Sequence, residues 1–367
     1  MIPIRQSITP DDIQAVTRFL ESGSPLSGYL AGNPWGGAAA QHLEEMWCTK
    51  FNRKHAICCN SATSGLLAAC VAMGVKKGTS VGVPALSMSA TAAVPAYCGG
   101  SLQFIDVDTA GGLSFDTPDR FRTVPDILIA TTLWGHPIDR RWEGSEILIL
   151  DNAQGILSHY GDGTWSENIA PICVTSFNVH KQINAGEMGI ISCDDAYLAN
   201  AMRMFINHGE MSDVGCHYSH SGIGLNLRPT EIGAILALSQ MARIDETIGK
   251  LDWLAKRLDD NMPSVFAPIQ PRDCTKSARY CYAFQTPGEA EPVVKSLLAD
   301  GVPCSAMYKP LYHLPAFGRD SPRYLKPDGC AVAEHISKST IIFELCAWRY
   351  EDDLVQVGNA LQKAAKL

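Results

Sequence analysis

Short, mostly apolar runs alternate with segments of helical pattern between residues 55 and 193, and this alternation restricts the possible folds most strongly. The runs have the length of strands and are apolar at successive positions rather than at every second one. Strands that are apolar on both faces are typical of parallel sheets covered by helices on both sides. The predicted strands are 56–59, 80–83, 102–105, 127–130, 147–150, 172–176 and 189–192. The sequence therefore predicts an α/β fold with a mostly parallel, seven-stranded sheet.

The segments on either side of this sheet are predicted to add helices and a second, smaller unit. Before it, residues 11–22 and 38–51 have helical patterns and enclose a loop rich in Gly, Pro and Ser. After it, one long helical pattern runs from about residue 229 to 262 and resembles a connector between domains. The remaining predicted elements are a strand near 279–284, helices at 289–299 and 331–338, a strand at 340–343 and a helix at 350–366. We therefore expect a large domain at 1–240 and a small α+β domain at 241–367.

The composition is that of a compact globular protein, with 46% hydrophobic and 19% charged residues. No apolar run approaches the roughly 18 to 20 residues of a membrane helix, and the first twelve residues lack a signal-peptide pattern. The 13 cysteines are odd in number and form no CxxC pair, which favours a reducing compartment over a disulfide framework or a zinc ribbon. These features predict a cytoplasmic protein that does not enter a membrane.

The net charge of −8 argues against nucleic-acid binding, which needs a basic surface. A small anionic ligand is compatible with this charge, because a few local amides and cations are enough to hold it. The ten histidines lack the HxxxH spacing with a carboxylate partner that is typical of metal sites. We therefore predict small-molecule partners and no metal.

Two ionisable residues stand where a sheet of this kind presents groups to a ligand. Asp151 follows the strand 147–150, and Lys181 lies on a loop after the strand 172–176. A carboxylate in this position can pair with a protonated ring nitrogen, and a helix N-cap or turn aspartate is the alternative. A lysine that loses its proton through burial can form a Schiff base, whereas most lysines are solvated surface charges. Alone, neither residue decides between these alternatives.

A third candidate segment, NSATSGL (60–66), connects a predicted strand to a predicted helix. Its small hydroxyl residues and backbone amides can bind an anion at the helix N-terminus, and a simple Ser/Thr cap is the alternative. Ser176 can also donate to a phosphate. His180, His208 and His313 are further residues that suit either a site or simple packing.

Together these segments resemble the DegT/DnrJ/EryC/StrS family of sugar aminotransferases, a branch of the fold-type-I pyridoxal-phosphate enzymes. The resemblance covers nearly the whole chain, and the order and spacing of its segments are specific. The matching segments are 60–66, 83–108, LWGHPID (133–139), LDNAQGI (150–156), SFNVHKQINAGEMGII (176–191), INHG (206–209), GLNLRPTEIGAILALSQ (224–240), YKPLYHLPAF (308–317) and AEHISKSTIIFEL (333–345). The resemblance implies the fold-type-I architecture, with a large cofactor-binding domain and a smaller C-terminal domain.

The resemblance also implies pyridoxal 5′-phosphate as the cofactor and gives roles to individual residues. Lys181, five residues after Ser176, is similar to the catalytic lysine that carries the cofactor as a Schiff base. Asp151 is similar to the catalytic partner of the ring nitrogen, and Gln154 to the residue facing the ring hydroxyl. The other residues similar to cofactor ligands are Thr63, Ser64, Met88, Ser176 and Asn226. The residues implied in substrate binding are Glu187, Tyr312 and His313.

Asn226 is similar to the asparagine that reaches the phosphate of the neighbouring subunit's cofactor, which implies a homodimer with shared active sites. Three positions depart from the family's pattern. Met88 stands where an aromatic residue usually stacks on the cofactor ring, Met188 replaces a glycine of GEGG, and TLWG (132–135) replaces HLYG. These departures indicate a substrate pocket that differs from those of the common members.

The implied reaction is a ping-pong transamination. Glutamate or glutamine gives its amino group to the cofactor, and a ketone, expected on a nucleotide-linked deoxysugar, then receives it. One alternative is a sugar dehydratase of the same family, in which a histidine replaces the lysine; the matching position here is Lys181. The other is a cofactor-binding regulatory protein without turnover, against which the pair of Lys181 and Asp151 argues.

Overall fold

The computed structural model describes residues 8–29, 33–115, 124–210, 219–271, 274–317, 324–325, 329–347 and 350–367. The first seven residues, part of the segment without a signal-peptide pattern, lie outside this range. Within the described part, no helix has both the length and the apolar character needed to cross a membrane.

The described residues form fourteen strands and ten α-helices. The strands are β1 (His55–Cys59), β2 (Ser80–Pro84), β3 (Ser101–Ile105), β4 (Ile127–Thr131), β5 (Leu148–Asp151), β6 (His159–Tyr160), β7 (Ile172–Ser176), β8 (Gly189–Cys193), β9 (Ala267–Pro268), β10 (Cys274–Lys276), β11 (Cys281–Gln285), β12 (Ser305–Ala306), β13 (Tyr324–Leu325) and β14 (Thr340–Glu344). The helices are α1 (Pro10–Glu21), α2 (Ala38–Phe51), α3 (Ala62–Ala72), α4 (Ala90–Tyr97), α5 (Ala196–Ile206), α6 (Glu231–Met241), α7 (Ile244–Asn261), α8 (Ala290–Ala299), α9 (Ala331–Ser339) and α10 (Tyr350–Ala364).

Eight strands form one sheet in the order β1-β8-β7-β5-β4-β2-β3-β13. β8 runs antiparallel to its neighbours β1 and β7, and the other neighbouring pairs are parallel. The prediction of an α/β fold with a mostly parallel sheet is confirmed, and all seven predicted strands are present. β13 adds a two-residue eighth strand at the edge, next to β3.

Helices cover both faces of the sheet, as the uniformly apolar strands require. Successive side chains of β1 enter different cores, because a strand alternates its faces. Ile57 and Cys59 pack in the core beneath α3, α4 and α5, whereas Ala56 and Cys58 pack in the core beneath α2 and α6. This double burial explains why the runs show no alternation of apolar and polar residues.

The carboxyl ends of several strands meet at one edge of the sheet. Asp151 ends β5 and pairs in register with Val174, while Ser176 ends β7 two residues later. β1 runs in the same direction as β7, because β8 reverses between them. The start of α3 therefore lies at the same edge, where open α/β sheets bind their ligands.

The prediction of one long helix at 229–262 is wrong in one respect, because the structure has two helices there, α6 and α7. The backbone leaves the helical conformation at Arg243, with φ −119° and ψ 15°. The Arg243 guanidinium donates to both carboxylate oxygens of Asp12 in α1, at 2.9 and 2.6 Å. Asp12 is fully buried and also accepts the Thr9 amide as part of a capping box, so the break joins α1 to the helix pair.

The C-terminal part forms its own antiparallel sheet in the order β12-β14-β11-β9, with helices packed against it. It is also joined to the large sheet. β13 pairs with β3, and the Asp106 carboxylate just after β3 accepts the amides of Val332 and Ala333 at the start of α9, at 3.0 and 2.8 Å. The division of the chain at 240/241 into two domains stays a prediction.

Candidate active site

A cavity of about 300 Å³ opens at the edge of the sheet where β5 and β7 end. Its size is at the lower end of the range for small-molecule sites, about 300–1,000 Å³. The cavity brings together residues from five separate segments of the chain. The predicted site residues among its lining are Thr63, Met88, Asp151, Gln154, Ser176, Lys181 and Glu187.

Asp151 presents a buried carboxylate to this cavity, with 7% of the residue exposed. The Thr91 hydroxyl donates to its Oδ2 at 2.8 Å, and the Ala153 amide donates to Oδ1 at 3.3 Å. Burial raises the pKa of Asp151 above its ordinary value, while the hydrogen bonds from Thr91 and Ala153 and the charge of Lys181 oppose the rise. These partners support the carboxylate in a position where solvation is weak.

Lys181 follows a tight turn after β7, in which its amide donates to the Asn178 carbonyl at 2.9 Å. The side chain is half-buried and lines the cavity. Burial lowers the pKa of Lys181, and the charge of Asp151 is among the effects that oppose this shift. A lysine with a lowered pKa supplies the neutral amine that nucleophilic and base catalysis require.

The start of α3 brings hydroxyl groups to the cavity. Ser61 caps the helix by accepting the Ser64 amide at 3.1 Å, and Thr63 in the first turn is exposed to the cavity. The Ser64 hydroxyl turns back and donates to Asn60 at 2.6 Å. Ser176, which accepts the Asn178 amide at 3.3 Å, lines the cavity from the end of β7. Hydroxyls and free amides at a helix N-terminus suit an anion such as phosphate.

Gln154 is oriented by the turn that follows β4. Its Oε1 accepts the amide of Trp134 at 2.7 Å, which leaves the Nε2 hydrogens to donate. Trp134 has φ +59°, in the left-handed region that non-glycine residues seldom adopt. Burial raises the pKa of the Tyr308 phenol to about 12, and the Gln154 side chain opposes this rise. The strained turn thus fixes which end of the Gln154 amide is available.

Met88 and Glu187 stand at the mouth of the cavity. Met88 is 54% exposed, and its sulfur accepts the Ala90 amide at 3.1 Å, so the thioether folds over the start of α4. Glu187 is exposed and accepts the Asn178 side-chain amide at 2.8 Å. Both side chains are therefore held at the rim of the cavity, where they are open to solvent.

Four predicted site residues do not line the cavity, namely Ser64, described above, and Tyr312, His313 and Asn226. The Tyr312 hydroxyl donates to Glu334 at 3.0 Å, and His313 lies 3.4 Å from the same carboxylate. The structure does not bring these two side chains to the cavity. Asn226 is exposed, and its Oδ1 accepts from Arg228 at 3.0 Å. Its assigned role across a subunit boundary stays a prediction.

Other residues of the site were not found from the sequence. Thr91 bonds Asp151 and also lies 2.8 Å from the Ser87 hydroxyl, which lines the cavity. The spacing of Ser87 and Thr91, four residues apart at the start of a helix, is a signal that could have identified them. Tyr308, the pKa of which the Gln154 side chain influences, comes about 150 positions later in the chain, and no local pattern indicates that the two residues interact.

Comparison with known proteins gives this geometry a context. The sequence profile of the DegT/DnrJ/EryC1/StrS aminotransferase family matches residues 6–117 and 137–362. GDP-perosamine synthase of Caulobacter vibrioides is 26% identical over 324 residues, which cover 84% of this chain and 85% of that enzyme. UDP-4-amino-4,6-dideoxy-N-acetyl-beta-L-altrosamine transaminase of Campylobacter jejuni (serotype O:23/36) is 25% identical over 322 residues, which cover 84% of this chain and 83% of that enzyme.

A solved structure supports the same fold. The aminotransferase PseC of Helicobacter pylori, involved in the biosynthesis of pseudoaminic acid, superposes with a TM-score of 0.88 at 20% identity, over 100% of this chain and 99% of that chain. At this identity the likeness speaks for the fold alone. The family match, in contrast, covers most of the sequence and four of the five segments that line the cavity. The chain belongs to the DegT/DnrJ/EryC1/StrS aminotransferase family and is an aminotransferase.

Proposed function

We propose that this protein is a cytoplasmic, pyridoxal-phosphate-dependent enzyme that transfers an amino group from glutamate or glutamine to a keto group of a nucleotide-linked deoxysugar. The observation that carries the proposal is the meeting of Asp151 and Lys181 in one cavity with the start of α3. The names of the Caulobacter and Campylobacter relatives, which refer to GDP- and UDP-linked sugars, support the substrate class. Eleven cysteines of the described part have free thiols, which suits a reducing compartment.

The cavity fits the chemistry of pyridoxal phosphate. The hydroxyls of Thr63 and Ser176 and the first-turn amides of α3 suit its phosphate, and Asp151 suits its protonated ring nitrogen. The Thr131 hydroxyl is buried in the cavity wall without a hydrogen-bond partner among the described residues. Because buried polar groups are rarely left unpaired, this hydroxyl is a group that a bound ligand can satisfy.

The residues of the chain have distinct tasks in this proposal. When bound, pyridoxal phosphate supplies an electron-withdrawing ring that takes up the negative charge formed when a proton leaves the carbon bearing the amine. Asp151 keeps the ring nitrogen protonated, and the hydrogen bond from Thr91 favours the charged carboxylate that this task needs. Lys181 carries the cofactor, and its free amine moves the proton at the substrate α-carbon. Burial favours the neutral amine because it lowers the pKa of Lys181.

A homodimer with shared sites is part of the same proposal. Asn226 is exposed, and the Arg228 guanidinium occupies its Oδ1, so the Nδ2 hydrogens are the part of the amide left to donate. Arg228 is itself held by the Asn207 side chain at 3.1 Å. A donor fixed in this way on the surface suits the phosphate of a cofactor bound by the partner subunit.

The surroundings of His180 argue against the dehydratase alternative. Its Nδ1 lies 3.5 Å from Glu344 Oε2, and the side chain is 48% exposed. Lys181, in contrast, lines the cavity together with Asp151. The group available for proton transfer next to Asp151 is therefore an amine rather than an imidazole, which favours transamination.

A screen of keto sugars tests the proposal. The holoenzyme is incubated with [¹⁵N]glutamate or [α-¹⁵N]glutamine and a panel of GDP-, UDP- and dTDP-linked keto sugars, and products are read by mass spectrometry. We expect an amino sugar that carries the ¹⁵N label and that is absent with the Lys181→Ala variant. Cofactor-loaded protein that aminates no member of the panel with either donor would contradict the proposed substrate class.

A further inference from the structure

We propose that Tyr280 is a positioning residue for Lys181, because the free ammonium of Lys181 rests on the face of the Tyr280 ring. This inference rests on the proposed role of Lys181. The Nζ atom of Lys181 lies 4.1 Å from the centroid of the Tyr280 ring. Ammonium groups are attracted to aromatic faces within about 6 Å, and more strongly where water is excluded. Tyr280 is only 5% exposed, so this contact is largely shielded from water.

The backbone before β11 holds the ring in place. The Ala278 amide donates to the Gly135 carbonyl at 2.9 Å, and Arg279 adopts the left-handed conformation with φ +50°. A Cβ on Gly135 would lie 3.0 Å or less from the amide nitrogens of Arg279 and Tyr280. Gly135, with φ +90°, therefore permits the close approach that delivers Tyr280 to the cavity.

The same segment is joined to the loop that carries the lysine. Gln182, next to Lys181, donates from Nε2 to the carbonyls of Ala278 and Gln154, both at 3.1 Å. Gln182 is buried, so these bonds are protected from competing water. These hydrogen bonds link the loop that carries Lys181 to the segment that carries Tyr280 and to the turn at Gln154. Tyr280 nevertheless lies about 100 positions after Lys181 in the chain.

Other ionisable groups also act on Lys181 and favour its ammonium form. They are Cys281, Asp151, Cys346 and Glu344. Burial raises the pKa of the thiols of Cys281 and Cys346, which therefore stay uncharged at neutral pH. Burial also raises the pKa of Tyr280, so its ring stays neutral and offers the negative face of its quadrupole. The ring thus favours the ammonium form of a lysine that burial otherwise drives toward the neutral amine.

Differential labelling of the apoprotein tests the role of the ring without turnover. Acetic anhydride is reacted at a series of pH values, and the acetylation rate of Lys181 is followed by peptide mass spectrometry. The rates at high pH, where the Lys181 amine is neutral in every variant, are used to correct for differences in the access of the reagent to this amine. Below the midpoint, we expect Tyr280→Leu to raise the corrected rate about tenfold, since an energy of about 1.4 kcal/mol for a shielded contact corresponds to one pH unit. Tyr280→Phe keeps the ring and should match wild type.

Progressive fluorination separates the ring's electrostatics from its shape. Tyr280 is replaced by phenylalanine and by mono-, di- and trifluorophenylalanine through amber suppression, which preserves packing even if Tyr280→Leu does not fold. We expect the corrected rate of Lys181 to rise stepwise with fluorine number. A rate that is independent of fluorination, or an equal change in Tyr280→Phe and Tyr280→Leu, would overturn the proposal. Failure of the function itself has a separate signature, the absence of cofactor from Lys181 in the holoenzyme.

Discussion

Glu167 offers a direct test of how burial tunes an acid behind the active site. The residue is fully buried, and its Oε1 accepts from the Asn152 side chain at 2.8 Å and from Thr175 at 3.4 Å. Its Oε2 and the Asn152 Oδ1 have no partner among the described residues when both act only as acceptors. A proton on Glu167 would turn Oε2 from an unpaired acceptor into a donor. The carboxyl would then brace the residues next to Asp151 and Ser176 as a neutral acid.

The size of the expected change in stability follows from the pKa of Glu167. Burial raises the pKa of Glu167 from 4.5 to about 8, and each pH unit corresponds to about 1.4 kcal/mol. Because the pKa of Glu167 is higher in the folded state, its proton stabilises the fold. This contribution to the free energy of unfolding is complete below pH 4.5 and falls as the pH rises toward 8. Between pH 5 and 8 the loss amounts to roughly 3 to 4 kcal/mol in the free energy of unfolding. Glu167→Gln keeps the shape and supplies a permanent donor, so this loss should disappear.

Urea denaturation at pH 5, 6.5 and 8 measures the effect. We expect the stability of wild type to fall relative to Glu167→Gln across this range, by a few kcal/mol on the linkage argument above. Glu45→Gln removes the same charge from an exposed position of α2 and should follow wild type. Parallel pH profiles for wild type and Glu167→Gln would refute the neutral-acid reasoning.

The remaining predictions concern the proposed chemistry. Lys181→Ala should lose the visible absorbance of bound cofactor, and borohydride reduction of wild type followed by peptide mapping should find the pyridoxyl group on Lys181; an adduct on another lysine contradicts the assignment. Asp151→Asn should keep the cofactor but slow single-turnover transamination by about two to four powers of ten, since a neutral amide cannot support the ring's positive charge and each 1.4 kcal/mol is tenfold; near-wild-type rates argue against the role. Mixing inactive Lys181→Ala and Asn226→Ala subunits should restore activity, because each mixed dimer then has one site without either lesion; continued inactivity despite demonstrated subunit exchange rules out the trans arrangement.

The large sheet could be predicted because each of its strands is recognisable from its own residues. Each strand is a short apolar run, and burial on both faces leaves a signal in every one of its residues. Asp151 and Ser176 could be located for the same reason, since each ends a recognisable strand and parallel pairing brings those ends together. The position of Lys181 in the cavity follows from its short distance to β7.

Features that depend on distant partners could not be predicted in this way. The break at Arg243 accompanies an ion pair with Asp12, more than 230 positions earlier, and the helical pattern continues across it. Tyr280 reaches Lys181 because its backbone packs closely against Gly135, a residue far away in the sequence. His313 and Tyr312 looked available in the sequence, but the carboxylate of Glu334 is their partner in the structure.

The attachment of the C-terminal part to β3 has a consequence for how the chain can be divided. A fragment ending at residue 240 would lose β13 and leave the outer edge of β3 without a paired strand, a surface prone to joining other edges. The buried Asp106 carboxylate would also lose the two α9 amides that stabilise its charge. The expected domain boundary is thus not expected to be a boundary in folding, and a fragment ending at residue 240 should aggregate rather than fold as an autonomous module.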